Sequence, residues 1–261
     1  MRVLVTRPQP QAGQWVGQLA ALGVQAAAVP LLGIGAPADP GPVALAWARL
    51  AKHRAVMFVS PNAVERFFAA APVAGDGPAR WPDGVWAAGT GPGTHAALVR
   101  AGVPAQQVLC PPADGGRFDS ESLWLLLAER GPWSRASMLI VRGEGGRDWL
   151  ADRLRAEGAT VQFVEAYRRL DPQLDAEALR ALTEALAHPA EHVWLLSSSE
   201  AVRHLPSLCP GVDWSASGAL ATHPRIAAAA SDIGFGQVSA VVPTPEAVQA
   251  WVTRSIQSTR S

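Results

Sequence analysis

Short apolar runs alternate along this chain with longer stretches whose apolar positions recur at helical spacing. The runs at residues 3–6, 25–30, 55–59, 85–88, 107–110, 138–141, 160–164, 193–196, 219–221 and 238–242 read as strands. Between most of them lie helical patterns. Residues 11–22 place Trp15, Val16, Leu19, Ala20 and Leu22 near helical spacing, and residues 147–157 do the same with Trp149, Leu150 and Leu154. Further helices are expected at 62–70, 94–101, 120–130, 175–187, 200–205, 225–233 and 245–255. Strands that are apolar on both faces and alternate with helices belong to parallel sheets covered on both sides, so the fold class is α/β.

Two segments interrupt the alternation. Residues 33–42 are rich in Gly and Pro, and Arg168-Arg169-Leu170-Asp171-Pro172 is short and charged. They bracket a block of domain size. The expected organisation is therefore one discontinuous domain of residues 1–34 plus 171–261, and a second of residues 35–170. An internal repeat points the same way. Val3-Leu4-Val5-Thr6-Arg7 matches Leu139-Ile140-Val141-Arg142, and the match continues until Gly23 falls on Gly158. Residues 58–64 match 196–202, and residues 90–102 match 222–234 with Pro92 on Pro224. The order of the blocks is displaced. The first strand–helix–strand unit belongs with the C-terminal blocks, while its twin ends the middle block, as two similar α/β domains with two crossings between them require.

Composition narrows the partners. Hydrophobic residues make up 49% of 261 positions and charged residues 17%, which excludes a disordered chain. Lys plus Arg and Asp plus Glu balance at 22 each, so no global field draws the protein to nucleic acid or an anionic membrane. An anionic ligand must be held by a local cluster, and every basic residue except Lys52 is the bidentate-capable arginine. No apolar run approaches the roughly 18–20 residues of a membrane helix. The N-terminus enters a strand at once without a leader-like apolar region, which reads as a cytoplasmic protein. Cys110 and Cys209 are expected as reduced thiols.

Several strands run directly into helix caps: Ser60 before Pro61, Ser198 or Ser199, Thr244 before Pro245, and Asp119. Each satisfies orphan helix N–H groups. Together they line the sheet edge where parallel folds bind ligands, and helix N-termini there favour anions. Gly89-Thr90-Gly91-Pro92-Gly93-Thr94 departs from the dinucleotide fingerprint at Thr94, and no nucleotide-binding Gly-Lys-Ser/Thr sequence exists. Arg142-Gly143-Glu144-Gly145-Gly146-Arg147 is a second glycine-rich turn, suited to close ligand approach or to a tight bend. His188 and His192 stand four apart, but Pro189 breaks the helix that would align them, so no metal site is expected. No Gly-x-Ser-x-Gly elbow occurs. Cys110 lacks a local base and reads as structural. Tyr167 is the only tyrosine. It is either an interface aromatic or a hydroxyl donor facing an interdomain cleft. The ten tryptophans read as core and domain contacts.

The displaced repeat, with Val3-Leu4-Val5-Thr6-Arg7-Pro8, Val59-Ser60-Pro61-Asn62-Ala63-Val64, Gly91-Pro92-Gly93-Thr94, residues 139–147 followed by Trp149-Leu150, and Val164-Glu165-Ala166-Tyr167, resembles the uroporphyrinogen-III synthase family. Ser197-Ser198-Ser199-Glu200-Ala201-Val202, Arg225-Ile226-Ala227 and Pro243-Thr244-Pro245-Glu246 complete the ordered set. No single motif is specific, but their order covers almost the whole chain. The resemblance implies two flavodoxin-like parallel-sheet domains joined by a two-stranded connector, in a monomer whose site is the cleft between them. It implies a cofactor-free, cyclising hydro-lyase of tetrapyrrole and heme biosynthesis. The substrate would be hydroxymethylbilane, a linear tetrapyrrole that loses water and closes to uroporphyrinogen III with ring D inverted through a spiro intermediate. Tyr167 stands where the family's acid tyrosine stands. Carboxylate arms would meet Arg7, Arg142, Arg147 and Arg225, while Ser60, Asn62, Thr94, Gly143, Ser198, Ser199 and Thr222 complete the substrate contacts. The implied partners are the tetrapyrrole and, transiently, hydroxymethylbilane synthase, with no nucleic acid and no membrane. The rival reading is a non-catalytic two-domain α/β ligand-binding or regulatory protein, because fold alone does not fix function.

Overall fold

The computed structural model describes residues 1–74, 77–78, 80–112 and 118–258. Along the chain run β1 (Arg2–Val5), α1 (Gln11–Ala21), β2 (Ala26–Ala28), β3 (Gly33–Gly35), α2 (Gly41–Ala48), β4 (Ala55–Phe58) and α3 (Pro61–Ala69). Then come β5 (Val73–Ala74), β6 (Gly77–Pro78), β7 (Trp86–Gly89), α4 (Pro92–Arg100), β8 (Val108–Leu109), α5 (Ser120–Ala128), β9 (Ser137–Gly143) and α6 (Trp149–Ala156). The remainder is β10 (Thr160–Leu170), α7 (Ala176–Ala187), β11 (His192–Leu196), α8 (Ser199–Arg203), α9 (Leu205–Leu208), β12 (Gly218–Ala221), α10 (Pro224–Asp232), β13 (Gln237–Ala240) and α11 (Pro245–Ser258). The chain forms two compact units, Met1–Ile34 with Leu170–Ser261, and Gly35–Arg169.

In the unit made from both chain ends, the sheet order is β2-β1-β11-β12-β13, and every pairing is parallel. Counted within the unit, this is the 2-1-3-4-5 order of flavodoxin-like folds. The two-residue period of a strand sends alternate side chains to opposite faces. Leu4, Trp194, Leu196, Ala219 and Ala221 enter a core closed by Ala181, Leu182, Val202 and Ile226 from α7, α8 and α10. Val3, Val5, Val193, Leu195 and Leu220 enter a second core closed by Leu19, Val248 and Val252 from α1 and α11. Both faces are therefore apolar, and the central strands have no polar side to give to water.

The second sheet has the order β3-β10-β9-β4-β7-β8, and its pairings β10–β9, β9–β4, β4–β7 and β7–β8 are again parallel. From β10 to β8 this is the same arrangement with the chain order cyclically shifted, so that β9 takes the place of β1. One face packs Met57, Met138 and Ile140 against Leu123, Leu127, Leu150 and Leu154. Elsewhere in this unit Phe58, Phe67 and Trp47 form a ring cluster, with Trp47 stacked on Phe67 at 4.7 Å and its indole N–H donating to the Phe67 carbonyl at 2.8 Å.

Three expectations from the sequence need adjustment. The Gly/Pro-rich segment holds strand β3 and begins α2, because Asp39 Oδ1 accepts the Gly41 N–H at 2.8 Å and Pro42 sits in the first turn, where its fixed φ helps. Strand β10 does not stop at residue 164 but runs to Leu170, through most of the charged segment. The helix expected at 200–205 ends at Arg203, and Pro206 lies in the separate turn α9 that follows. The short hairpin β5–β6 gave no sequence signal.

Candidate active site

In parallel α/β sheets, ligands bind at the C-terminal strand ends where the strand order reverses. In the Gly35–Arg169 unit that point lies between β9 and β4. Ser60, directly after β4, caps α3: its Oγ accepts the Ala63 N–H at 3.3 Å, and Pro61 opens the helix. Asn62 lies half-buried in the same first turn. The Tyr167 hydroxyl lies 3.3 Å from Ser60 Oγ, and Tyr167 is only 3% exposed. A register shift between Glu165 and Tyr167 brings Tyr167 opposite Gly143 on β9. There the phenol ring occupies the space a side chain would need. A Cβ on Gly143 would stand 2.6 Å from Tyr167 Cε2 and 2.8 Å from Cζ. Gly143 thus contributes the absence of a side chain.

Arg142 lies with its guanidinium 3.9 Å from the Phe163 ring centroid and donates from Nη1 to Asp148 Oδ1 at 2.7 Å. Its Nε is buried with no hydrogen-bond partner. The loop after it turns tightly, with Gly145 at φ 67° and Gly146 at φ 137°, conformations that favour glycine. Arg147 is well exposed and pairs with Glu121 at 3.5 Å. Thr94 is placed differently from the expectation of a lining side chain. It is 3% exposed, inside the first turn of α4, and its methyl would lie 2.6 Å from a Cβ on Gly89. Its side chain packs against the glycine of the preceding strand. The N-terminus of α4 itself carries no side-chain cap.

In the unit made from both ends, the order reverses between β1 and β11. Ser198 Oγ caps α8 by accepting the Ala201 N–H at 3.3 Å, and Ser199 is the first residue of that helix. This assigns the cap within the serine run to Ser198. Thr222 Oγ1 donates to the Leu196 carbonyl at 3.4 Å, and Thr6 Oγ1 donates to the Leu195 carbonyl at 2.7 Å. Arg225 is exposed, and its N–H is accepted by His223 Nδ1 at 3.1 Å. Sequence reasoning missed His223 as a cap, although its place before Pro224 repeats the Ser60-Pro61 pattern.

Arg7, just beyond β1, carries the most unusual electrostatics. Its guanidinium stacks on Trp15 at 4.5 Å, and its Nε is buried without a hydrogen-bond partner. No carboxylate pairs with it among the described residues. Burial pushes its pKa down to about 10, so it stays charged at neutral pH. Sequence patterning gave no hint of Trp15 as its platform.

Both cysteines are free thiols, and burial pushes Cys110 up to about 11, which keeps it protonated and poorly nucleophilic. His192 Nδ1 donates to the His188 carbonyl at 2.9 Å. Among the described residues no group of three His, Cys, Asp or Glu side chains is placed to hold a metal ion. None of their helices is long and apolar enough to cross a membrane.

Two parallel α/β units, each with a capped helix N-terminus and arginines at its switch point, and one adding a buried tyrosine hydroxyl, define a protein of two flavodoxin-like units. The profile described as Uroporphyrinogen-III synthase HemD matches residues 13–250. The chain is 33% identical to the uroporphyrinogen-III synthase of Salmonella typhimurium over 80% of each chain. It is 32% identical to that of Synechococcus elongatus over 82% of this chain and 78% of the relative. A solved structure of a mutant uroporphyrinogen III synthase from the extremely thermophilic bacterium Thermus thermophilus shares the fold, with a TM-score of 0.55, 19% identity and 99% of both chains covered. The chain belongs to the uroporphyrinogen-III synthase family.

Proposed function

We propose that this protein converts hydroxymethylbilane to uroporphyrinogen III, with Tyr167 as the acid that assists loss of the hydroxyl. The observation that carries the reading is the family match across residues 13–250, supported by curated relatives that share about four-fifths of their length with it. The overall change is loss of one water with rearranged carbon bonds and no net oxidation, so the reaction needs no redox cofactor. The C–O bond breaks, the departing oxygen takes the phenolic proton and leaves as water, and a pyrrole-stabilised cation remains. Ring D then joins through its substituted carbon, the spiro intermediate rearranges, and the closing ring returns a proton to the phenolate.

The hydrogen-bond pattern suits this role for Tyr167. Ser60 Oγ already accepts the Ala63 N–H, so its own proton can be given to the Tyr167 oxygen. The phenolic proton is then left for the substrate. Arg7, Arg142, Arg147 and Arg225 supply positive charge for the carboxylate arms, and the helix starts capped by Ser60 and Ser198, with Asn62 and Ser199 in their first turns, and Thr222 beside the α10 cap, supply N–H groups and hydroxyls. At α4 it is the uncapped helix start that contributes, since the Thr94 side chain is buried and its N–H is donated to the Gly91 carbonyl at 3.0 Å. The reading places the protein in the cytoplasm, receiving its unstable substrate in a transient contact with hydroxymethylbilane synthase. The test is a coupled assay: porphobilinogen, hydroxymethylbilane synthase and this protein, followed by oxidation and chromatographic separation of isomers. Isomer III as the main product is expected. Isomer I alone, from folded protein with an active coupling enzyme, would refute the reading and favour a non-catalytic binding protein.

A further inference from the structure

We infer that Gly143, together with the bulge in β10, is a positioning device for the Tyr167 hydroxyl rather than a substrate contact. The inference rests on the reading of Tyr167 as the acid. A regular parallel register would leave Ala166 opposite Gly143, with Tyr167 one position further along. The shift between Glu165 and Tyr167 moves the tyrosine into register with the last residue of β9. Bulges re-aim side chains in this way beside functional sites. The re-aimed ring then lies against the one position on β9 that has no Cβ. With a methyl group there, carbon atoms would meet at 2.6 Å and 2.8 Å. Ordinary contact between carbons is about 3.5–4.0 Å, so the ring would have to retreat by about 1 Å. The hydroxyl sits 3.3 Å from Ser60 Oγ and has no slack to lose. The other side of the arrangement is tied as well. Arg169, two residues along β10, lies 5.9 Å from the ring centroid and donates to the Glu144 carbonyl at 2.8 Å, joining the strand that carries the ring to the residue after Gly143.

The test is a double-mutant cycle of Gly143→Ala and Tyr167→Phe, read by kcat and KM in the coupled assay and by the 13C resonance of labelled tyrosine Cζ. Tyr167 is the only tyrosine, so that resonance belongs to one atom. Gly143→Ala is expected to lower kcat about 10- to 100-fold, as a misplacement of about 1 Å does, and to leave KM within about twofold. The Cζ resonance moves as the bond to Ser60 is lost. In the Tyr167→Phe background the methyl still strikes the ring, but kcat falls no further, because the hydroxyl it would misplace is gone. Full kcat in Tyr167→Phe alone overturns the acid reading and this inference with it. A Tyr167→Phe defect with an unchanged Gly143→Ala, or with two additive losses, overturns the inference while leaving the acid reading standing. If Gly143→Ala does not fold, the Tyr167→Ser/Gly143→Ala pair must fold as well as Tyr167→Ser alone. An unfolded pair shows that the ring is not what Gly143 accommodates, and the inference fails.

Discussion

Arg7 is a half-buried cation with no paired anion among the described residues, and replacing it by methionine separates its cost from its use. Burial holds its pKa near 10 in place of 12.5. Below pH 10 both folded and unfolded chains carry the charge, so the whole penalty is present at neutral pH. At about 1.4 kcal/mol per pH unit, the charge costs the fold about 3 kcal/mol. The stack on Trp15 returns about 1 kcal/mol of this. Methionine has a similar unbranched stem and keeps a sulfur–aromatic contact of comparable size. Arg7→Met should therefore stabilise the ligand-free protein by about 2 kcal/mol, a rise in Tm of about 4–8 °C. The same change removes a charge-assisted contact to a carboxylate, worth about 1.5–3 kcal/mol, so KM should rise about 10- to 150-fold with kcat nearly kept. Thermal melts followed by circular dichroism and kinetics in the coupled assay read both quantities on one preparation. A variant that melts lower and keeps its KM would refute the reasoning. It would mean that Arg7 is a packing residue whose charge is met within the fold.

The same geometry bears on three other positions. His53 is buried with Nδ1 2.8 Å from Ser137 Oγ, and burial lowers its pKa below the ordinary 6.5. The unfolded chain then binds the extra proton first, so stability is complete above pH 6.5 and declines as pH falls from there toward the folded pKa. His53→Asn, which keeps a polar atom near Ser137, should flatten that part of a Tm-against-pH curve; an unchanged slope would assign it to other groups. Ser60→Ala removes both the α3 cap and the Tyr167 partner, and should cost about 1 kcal/mol in a denaturant melt while lowering kcat. Ser60→Thr should restore most of the stability, and failure to do so would show that the cap geometry matters little. Gly89→Ala would push a methyl to 2.6 Å from Thr94 Cγ2, and should destabilise by about 1–3 kcal/mol in a urea titration. Adding Thr94→Ser, which deletes the struck methyl, should recover part of that loss.

The sheets were legible because their signal is local and redundant. The run Val193–Leu196 is apolar on both faces, and so is Val3–Val5, so each declares a buried parallel strand without help from its neighbours. Strand β10 was read short because its second half mixes Glu165, Arg168 and Arg169 with Ala166 and Tyr167, and only pairing with β9 over most of its length identifies it as strand. Helix α2 was hidden by its own opening, Pro40-Gly41-Pro42, which reads as a loop until Asp39 is seen holding the Gly41 N–H. At the site, caps such as Ser60 could be named from the residue before a proline. Two roles could not. That Gly143 serves the ring of Tyr167 is a matter of contact between strands distant in sequence, and that Thr94 turns back onto Gly89 depends on the bend between β7 and α4; neither shows in the hydrophobic pattern. The charge of Arg7 was visible, but its isolation was not, since an unpaired cation is defined by what does not surround it.

The cyclic shift between the two sheets also sets a timetable for synthesis. The Gly35–Arg169 unit is continuous and complete once β10 has emerged. Strand β1 must wait for β11, since Arg2 pairs with His192 and Val5 with Leu195. At about 5–20 residues per second on the ribosome, that wait is on the order of 10–40 s. Through all of it β1 and α1 hold exposed the apolar faces that will later be buried, and by its end the Gly35–Arg169 unit has already emerged whole. Slow codons or a cold shock that lengthen this interval would therefore endanger the first thirty-odd residues before any others. A nascent chain halted just after β10 would carry one finished unit and an unsupported β1–α1–β2 fragment.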